Sequence, residues 1–290
     1  MKRIAFLGCE NSHADAFIKY IQANPDTFSD VEIVGVYSDD TEKSQKLKDK
    51  YGVPVLEHYA DAVGKLDGVV ITARRGDDHY KYAKPYIESG IPMFIDKPIT
   101  FSEEEAIEFM QVLKAKSIRI SGGSSLKQDA YVKQLKKEAM EEEGGKTLGG
   151  YVRVPFQREN KYGDFYFYAP HLVEIVCEIF GRYPLSVTAK ENGEQIHVLF
   201  HYENYDAVGL YCNGNYLYYA SRMAEKTVNS AEIPSTSAWF EEEFKEFYAL
   251  LSGGEQPSSY KDFIAPVFVM NAIKRSIESG KEEAVNTFEI

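Results

Sequence analysis

The stretch Ile91-Pro92-Met93-Phe94-Ile95-Asp96-Lys97-Pro98-Ile99-Thr100 reads as a short apolar strand that ends in a carboxylate, an ammonium and a rigid proline. A brief apolar run bounded by turn signals suits a strand covered on both faces, the kind that builds a parallel sheet. The end of such a strand puts Lys97 at the mouth of the crevice beyond the sheet's carboxyl edge, where ligands bind in open α/β folds. Pro98 biases Lys97 toward extended backbone and fixes the exit of the chain. An ammonium held there can donate to a substrate oxygen and stabilise charge that develops on it, with Asp96 beside it to orient the loop or the lysine. The competing reading is a surface turn with a snorkelling lysine.

Upstream of this stretch two periodicities alternate. Strands are expected at Ile4–Leu7, Val31–Tyr37, Gly68–Thr72 and Met93–Ile95, and helices at Ala14–Ile21, Thr41–Tyr51 and Asp78–Ser89. Ser102, with Glu105 three residues on, forms a capping-box signature for a helix through Lys116. Strands alternating with amphipathic helices predict a doubly wound parallel sheet of the Rossmann kind over residues 1–120. The style changes after Ser117–Ser125. A helix is expected at Asp129–Glu142, then strands in which Ile196, Val198, Phe200 and Tyr202 alternate with His197, Leu199 and His201. Asn213-Gly214 reads as a two-residue hairpin turn. Residues 121–290 are therefore expected to form an α+β domain with a mainly antiparallel open sheet. Its closing helices, Ala238–Leu251 and Tyr260–Ser279, are candidates to return to the first domain.

Composition sets the outer bounds. The 290 residues include 44% hydrophobic and 27% charged side chains, a globular balance. Thirty-three Lys and Arg against 45 Asp and Glu give a net charge of −12, which repels phosphate backbones and argues against nucleic acid. Cys9, Cys177 and Cys212 are too few and scattered for a disulfide framework or a zinc site, and no metal set is expected. The apolar run near the N-terminus lasts five residues and no run approaches a membrane span. A cytoplasmic protein with its native start is expected, without membrane partners. Gly145-Lys146-Thr147 resembles the tail of a phosphate loop, but it follows a helix and lacks the earlier glycine, so it is set aside.

The turn Gly8-Cys9-Glu10-Asn11-Ser12-His13 follows the first strand, where exposed amides can face a phosphate. Gly8, Glu10, Asn11, Ser12 and His13 are candidates to touch a dinucleotide, although Asn11 or Ser12 also suits a helix cap. After the second strand, Ser38 and Asp39 stand where a carboxylate can bind an adenosine ribose. An acid there favours NAD over NADP, while Lys43 leaves NADP open. Arg74 and Arg75 after the third strand suit either an anionic substrate or a pyrophosphate, or a solvated pairing with Asp77, Asp78 or Glu10. In Tyr162–Gly181, Pro170 suits the first turn of a helix, which puts His171, Glu174 and Glu178 on one face. His171 can pass a proton and Glu174 can set its tautomer.

Together the segments IAFLG, VVITARRGDDH, ESGIPMFIDKP and APHLVE resemble the family of NAD(P)-dependent oxidoreductases that includes glucose-fructose oxidoreductase and inositol dehydrogenase, and the resemblance covers nearly the whole chain. It implies a Rossmann domain, an open sheet that packs against another subunit in a homodimer or homotetramer, and hydride transfer between a nicotinamide and a hydroxyl-bearing carbon of a small polar substrate such as a sugar, polyol or sugar acid. It places Lys97 on the family's substrate-contacting lysine, His171 on its histidine and His79 on the histidine after the third strand. The same resemblance puts Asp96, Lys97 and Pro98 beside the nicotinamide, and Tyr168 and Glu174 with Lys97 and His171 at the substrate. Three departures stand out: the glycine-poor, shorter first turn; Arg74-Arg75 where the family has Thr-Pro; and Phe167 and Ala169 where it has Asp and Gly. Phenylalanine cannot relay a proton, so His171 is left to act with Lys97, with Tyr168 or Tyr166 as candidate assistants. The departures also favour the alternative of a nucleotide- or sugar-binding protein without turnover.

Overall fold

In the computed structural model, which describes residues 1–290, the apolar runs of the first part pair into one parallel sheet. The chain runs β1 (Lys2–Leu7), α1 (Ser12–Ala23), β2 (Val31–Tyr37), α2 (Thr41–Tyr51), β3 (Gly68–Ile71), α3 (Asp77–Ala83), β4 (Met93–Asp96), α4 (Glu103–Ala115) and β5 (Ile120–Gly123). The strand order is β2-β1-β3-β4-β5. Every residue of β3 and β4 is buried. Side chains alternate between faces along a strand. Val70 and Phe94 accordingly join Phe17, Phe28, Phe244 and Phe247 on one side, and Ile71 and Ile95 join Tyr82 and Phe109 on the other. Burial of a ring such as Phe94 stabilises by roughly 1.5–3 kcal/mol. Gly122 belongs to β5 because its φ is +125° and a Cβ there would stand 1.9 Å from the Ile95 carbonyl oxygen.

The second part runs α5 (Ala130–Met140), β6 (Thr147–Phe156), α6 (Phe165–Phe180), β7 (Ser186–Asn192), β8 (Gln195–His201), β9 (Asp206–Asn213), β10 (Tyr218–Ala224), β11 (Val228–Ile233), α7 (Ala238–Leu251), α8 (Tyr260–Ser279) and β12 (Glu282–Ala284). Its sheet is mixed and mainly antiparallel, in the order β11-β10-β6-β9-β8-β7-β12. Val152, Val154, Val198, Phe200 and Tyr211 are buried on one face. The opposite face is open and carries Val208, 38% exposed, and Met223, 42% exposed. Helix α7 packs Phe244 and Phe247 against the parallel sheet beside α1. No helix is long and apolar enough to cross a membrane.

Three local expectations change. The helix foreseen over Asp78–Ser89 is α-helical only to Ala83 and continues as a 3-10 helix over Lys84–Ser89, because Pro85 has no N–H for the i→i−4 bond. Pro170 lies inside α6, which starts five residues earlier, so His171 sits in its second turn. Asn213-Gly214 does form a turn, with Gly214 at φ +75°, but β9 and β10 do not pair. Strand β6 lies between them, parallel to β9 and antiparallel to β10.

Candidate active site

The carboxyl ends of β1, β3 and β4 meet the start of α6 and the N-terminal turn of α7 around a crevice of about 250 Å³. Asn11, Ser12, His13, Arg74, Lys97, Tyr168 and His171 line it, and Phe167, Tyr218 and Trp239 form apolar walls. Lys97 directly follows Asp96, the last residue of β4, is joined to Pro98 by a cis peptide, and is only 5% exposed. Its backbone N–H donates to Asp96 Oδ1 at 2.7 Å, and its ammonium donates to the Phe167 carbonyl at 3.3 Å. The same ammonium lies 4.5 Å from the centre of the Phe167 ring. Phe167 thus holds the lysine through both a carbonyl and a π face. Burial lowers the Lys97 pKa and Arg74 acts the same way, against the opposing pull of Asp96 and Glu243.

His171 projects from α6 into the crevice, and its Nδ1 lies 2.7 Å from Ser124 Oγ. Glu174 is not its partner. That carboxylate is buried one turn on, accepts from the Ser124 N–H at 3.2 Å, and lies outside the crevice lining. Burial, then the charges of Lys97 and His13, push His171 well below the usual imidazole range, so it is neutral near pH 7. When Nδ1–H donates to Ser124, the other ring nitrogen keeps a lone pair and can accept a proton.

Beneath Lys97 lies a buried chain of charge. His13 Nδ1 stands 3.3 Å from Asp96 Oδ2 and Nε2 stands 3.1 Å from Glu243 Oε2. Neither approach has the angle of a good hydrogen bond, so the attraction is mainly Coulombic. Asn11 caps α1 by accepting from the Ser12 N–H and donates its own amide to Asp96. Burial opposes a charge on His13, but Asp96 and Glu243 outweigh it and raise the imidazole pKa. Burial pushes Glu243 up to about 7 against the pull of His13. Glu243 escaped the sequence reading, although a signal existed. It shares the buried face of α7 with Trp239, Phe247 and Leu250, at positions where an amphipathic helix carries apolar residues.

The other candidates divide clearly. Gly8, at φ +77°, packs the first turn so tightly against the end of β3 that a Cβ would lie 2.4 Å from Ala73. Its N–H and that of Cys9 both donate to the Tyr37 carbonyl, at 2.9 and 3.0 Å. Glu10 spans from the end of β2 to the end of β3, accepting from Ser38 Oγ at 2.8 Å and from the Arg74 N–H at 3.0 Å. Asp39 accepts from the hydroxyls of Tyr37 and Tyr82 and from the Lys81 ammonium. Arg75 turns away to pair with Asp77 at 2.7 Å. His79 is 0% exposed and sits between the carbonyls of Ala73 and Ile99, with Nε2 2.8 Å from the Ala73 oxygen, where the loops after β3 and β4 meet. Pro98 packs beside Gly76 in the same junction. Ser124, Phe167, Tyr218 and Trp239 were not singled out as site residues for their contacts, since their convergence depends on how the two sheets meet.

Comparison with known proteins agrees with this architecture. Residues 2–124 match the model of an oxidoreductase family with an NAD-binding Rossmann fold. No curated protein sequence matches the chain. Solved structures with the same fold include a myo-inositol dehydrogenase from Corynebacterium glutamicum, 16% identical over 99% of this chain and 100% of that one, with a TM-score of 0.83. A myo-inositol 2-dehydrogenase from Lactobacillus plantarum is 14% identical over 98% and 99% of the two chains, at 0.84. A scyllo-inositol dehydrogenase from Lactobacillus casei, solved with NAD(H) and scyllo-inositol, is 14% identical over 99% and 100%, at 0.84.

Proposed function

We propose that this chain is an NAD(P)-dependent oxidoreductase acting on a hydroxyl-bearing carbon of a small polar substrate, a reading supported by the match of residues 2–124 to the model of an oxidoreductase family with an NAD-binding Rossmann fold. The observation that carries the reading is the convergence of Lys97 and His171 on one crevice at the carboxyl edge of the parallel sheet.

The groups present suit the cofactor. Ser12 and the start of α1 bring donors to the crevice, a set matched to anionic oxygens. Glu10 is of opposite character, and Asp39 at the end of β2 favours NAD. When bound, the nicotinamide supplies the hydride-transfer chemistry.

The residues of the chain supply the rest. With Nδ1–H donating to Ser124, the free nitrogen of neutral His171 accepts the hydroxyl proton. The Lys97 ammonium donates to the same oxygen and stabilises its developing negative charge. Phe167, Tyr218 and Trp239 exclude water, which strengthens both interactions. Lys97 is held to its task by the Phe167 carbonyl and the Phe167 ring, in place of an acidic relay.

Turnover measured by NADH absorbance, with cofactor affinity followed separately by calorimetry, tests this. Lys97→Met and His171→Ala are each expected to lower kcat by about 10²–10⁴ with cofactor affinity nearly unchanged. Full rates in both variants would remove the two assigned groups, and failure of the wild type to bind either NAD or NADP would end the oxidoreductase reading.

A further inference from the structure

We infer that the substrate carries a carboxylate seated on the Arg74 guanidinium, with its reacting hydroxyl between Lys97 and His171. The inference rests on the oxidoreductase reading and narrows its substrate to hydroxy acids such as sugar acids, against neutral polyols.

The charge inventory of the crevice is the first ground. In a protein of net charge −12, its lining includes Arg74, Lys97, His13 and His171 and not one Asp or Glu. The nearby carboxylates are already engaged: Asp96 and Glu243 flank His13, and Glu10 is held by Ser38 and the Arg74 backbone. Asp77 pairs with Arg75. The Arg74 and Lys97 side chains are left without a salt bridge.

The second ground is the Arg74 side chain itself. Its Nε–H is buried with no acceptor. An unmet buried donor is costly, the more so when charged, so a ligand that supplies the acceptor recovers that energy. The guanidinium lies 4.7 Å from the centre of the Tyr162 ring and 5.9 Å from that of Phe167, whose ring also carries Lys97 at 4.5 Å. Two cations thus share one aromatic platform. The planar fork of Arg74 matches a carboxylate in two parallel hydrogen bonds, while the single ammonium of Lys97 is suited to one oxygen. A neutral polyol would answer the second group and leave the first unmet. The carboxylate is only a handle and is unchanged by the reaction.

A phosphate of the cofactor presents the same oxyanion chemistry, so the experiment separates the two sources. Calorimetry on the wild type, Arg74→Gln and Arg74→Lys would use ADP-ribose and NADH in one arm. In the other, gluconate and sorbitol would be titrated into each NADH-loaded protein. The expected result is gluconate binding at least about tenfold tighter than sorbitol in the wild type. Arg74→Gln should remove that preference and Arg74→Lys should keep part of it, with ADP-ribose and NADH affinities nearly constant throughout. Equal binding of acid and polyol, or of neither, would overturn the inference and leave the oxidoreductase reading standing. Loss of ADP-ribose and NADH affinity in Arg74→Gln would overturn it too, by assigning Arg74 to a cofactor phosphate. A wild type that binds no nicotinamide dinucleotide would sink both.

Discussion

Above β1 and β2, the polar groups at the sheet edge satisfy one another. Glu10 takes hydrogen bonds from Ser38 and Arg74, Asp39 takes three from Tyr37, Tyr82 and Lys81, and the Gly8 and Cys9 amides both go to Tyr37. Above β3 and β4, Arg74 and Lys97 face the crevice with no carboxylate partner, and His171 is kept neutral beside them. Closed hydrogen-bond networks rigidify, while unmet charge invites a ligand. The first region is therefore built to hold its shape and the second to receive something. The buried His13 joins them: it stands at the start of α1 and touches the carboxylate that precedes Lys97.

The strongest way to break this contrast is to remove the support beneath the second region. Glu243→Ala leaves His13 facing Asp96 alone and is expected to cost about 3–5 kcal/mol in urea unfolding, the usual penalty for losing one partner of a buried pair. The pH dependence gives a sharper signature. The Glu243 carboxyl rises from 4.5 to about 7 on folding, and the His13 imidazole also rises, so the folded chain holds more protons than the unfolded one. Stability from both groups is complete below their unfolded values and is lost as pH climbs through their folded values. The share of stability that this pair supplies should therefore fall as pH climbs through about 7, while neutral His171 contributes in the opposite sense. Glu243→Ala should flatten that fall; an unchanged slope would show that the pair does not titrate in this way.

A smaller effect is expected from Ser124→Ala, which frees the His171 ring without touching the substrate. The rate constant kcat should fall about tenfold, a fraction of what a general base contributes, with NADH affinity unchanged. A loss confined to KM would instead make Ser124 a substrate contact. Smallest of the three, Glu10→Gln removes a like charge from the path of the cofactor diphosphate. NADH should bind about fivefold tighter in calorimetry, the size of a ~1 kcal/mol contact in water-rich surroundings. Weaker binding would mean that the ionised Glu10 shapes the turn more than it repels the ligand.

Much of the molecule was legible from local signals. The short apolar strands, the Ser102 cap and the Ile196–Phe200 alternation all read correctly, because burial on two faces, one face or none leaves different periodicities. Lys97 and His171 were also within reach, since a lysine at a buried strand end and a histidine on an apolar helix are conspicuous in sequence. The errors have a common physical source. Asn213-Gly214 specifies a turn but not which strand comes to lie beside it, and β6 enters that gap from some 60 residues upstream, at Thr147–Phe156. Pro170 suits a helix start because proline is tolerated there, but α6 begins earlier, at Phe165.

The sequence by itself determined the alternating pattern that makes the parallel sheet and the strand end that carries Lys97, because period and burial are written in neighbouring residues. Only the tertiary structure decided that Glu243 and His13 face each other, that Ser124 and not Glu174 meets His171, and that the Phe167 backbone holds Lys97. Those contacts join residues as many as 230 positions apart, His13 with Glu243. Their partners are chosen by how helices α6 and α7 pack on the sheet, which no local preference encodes.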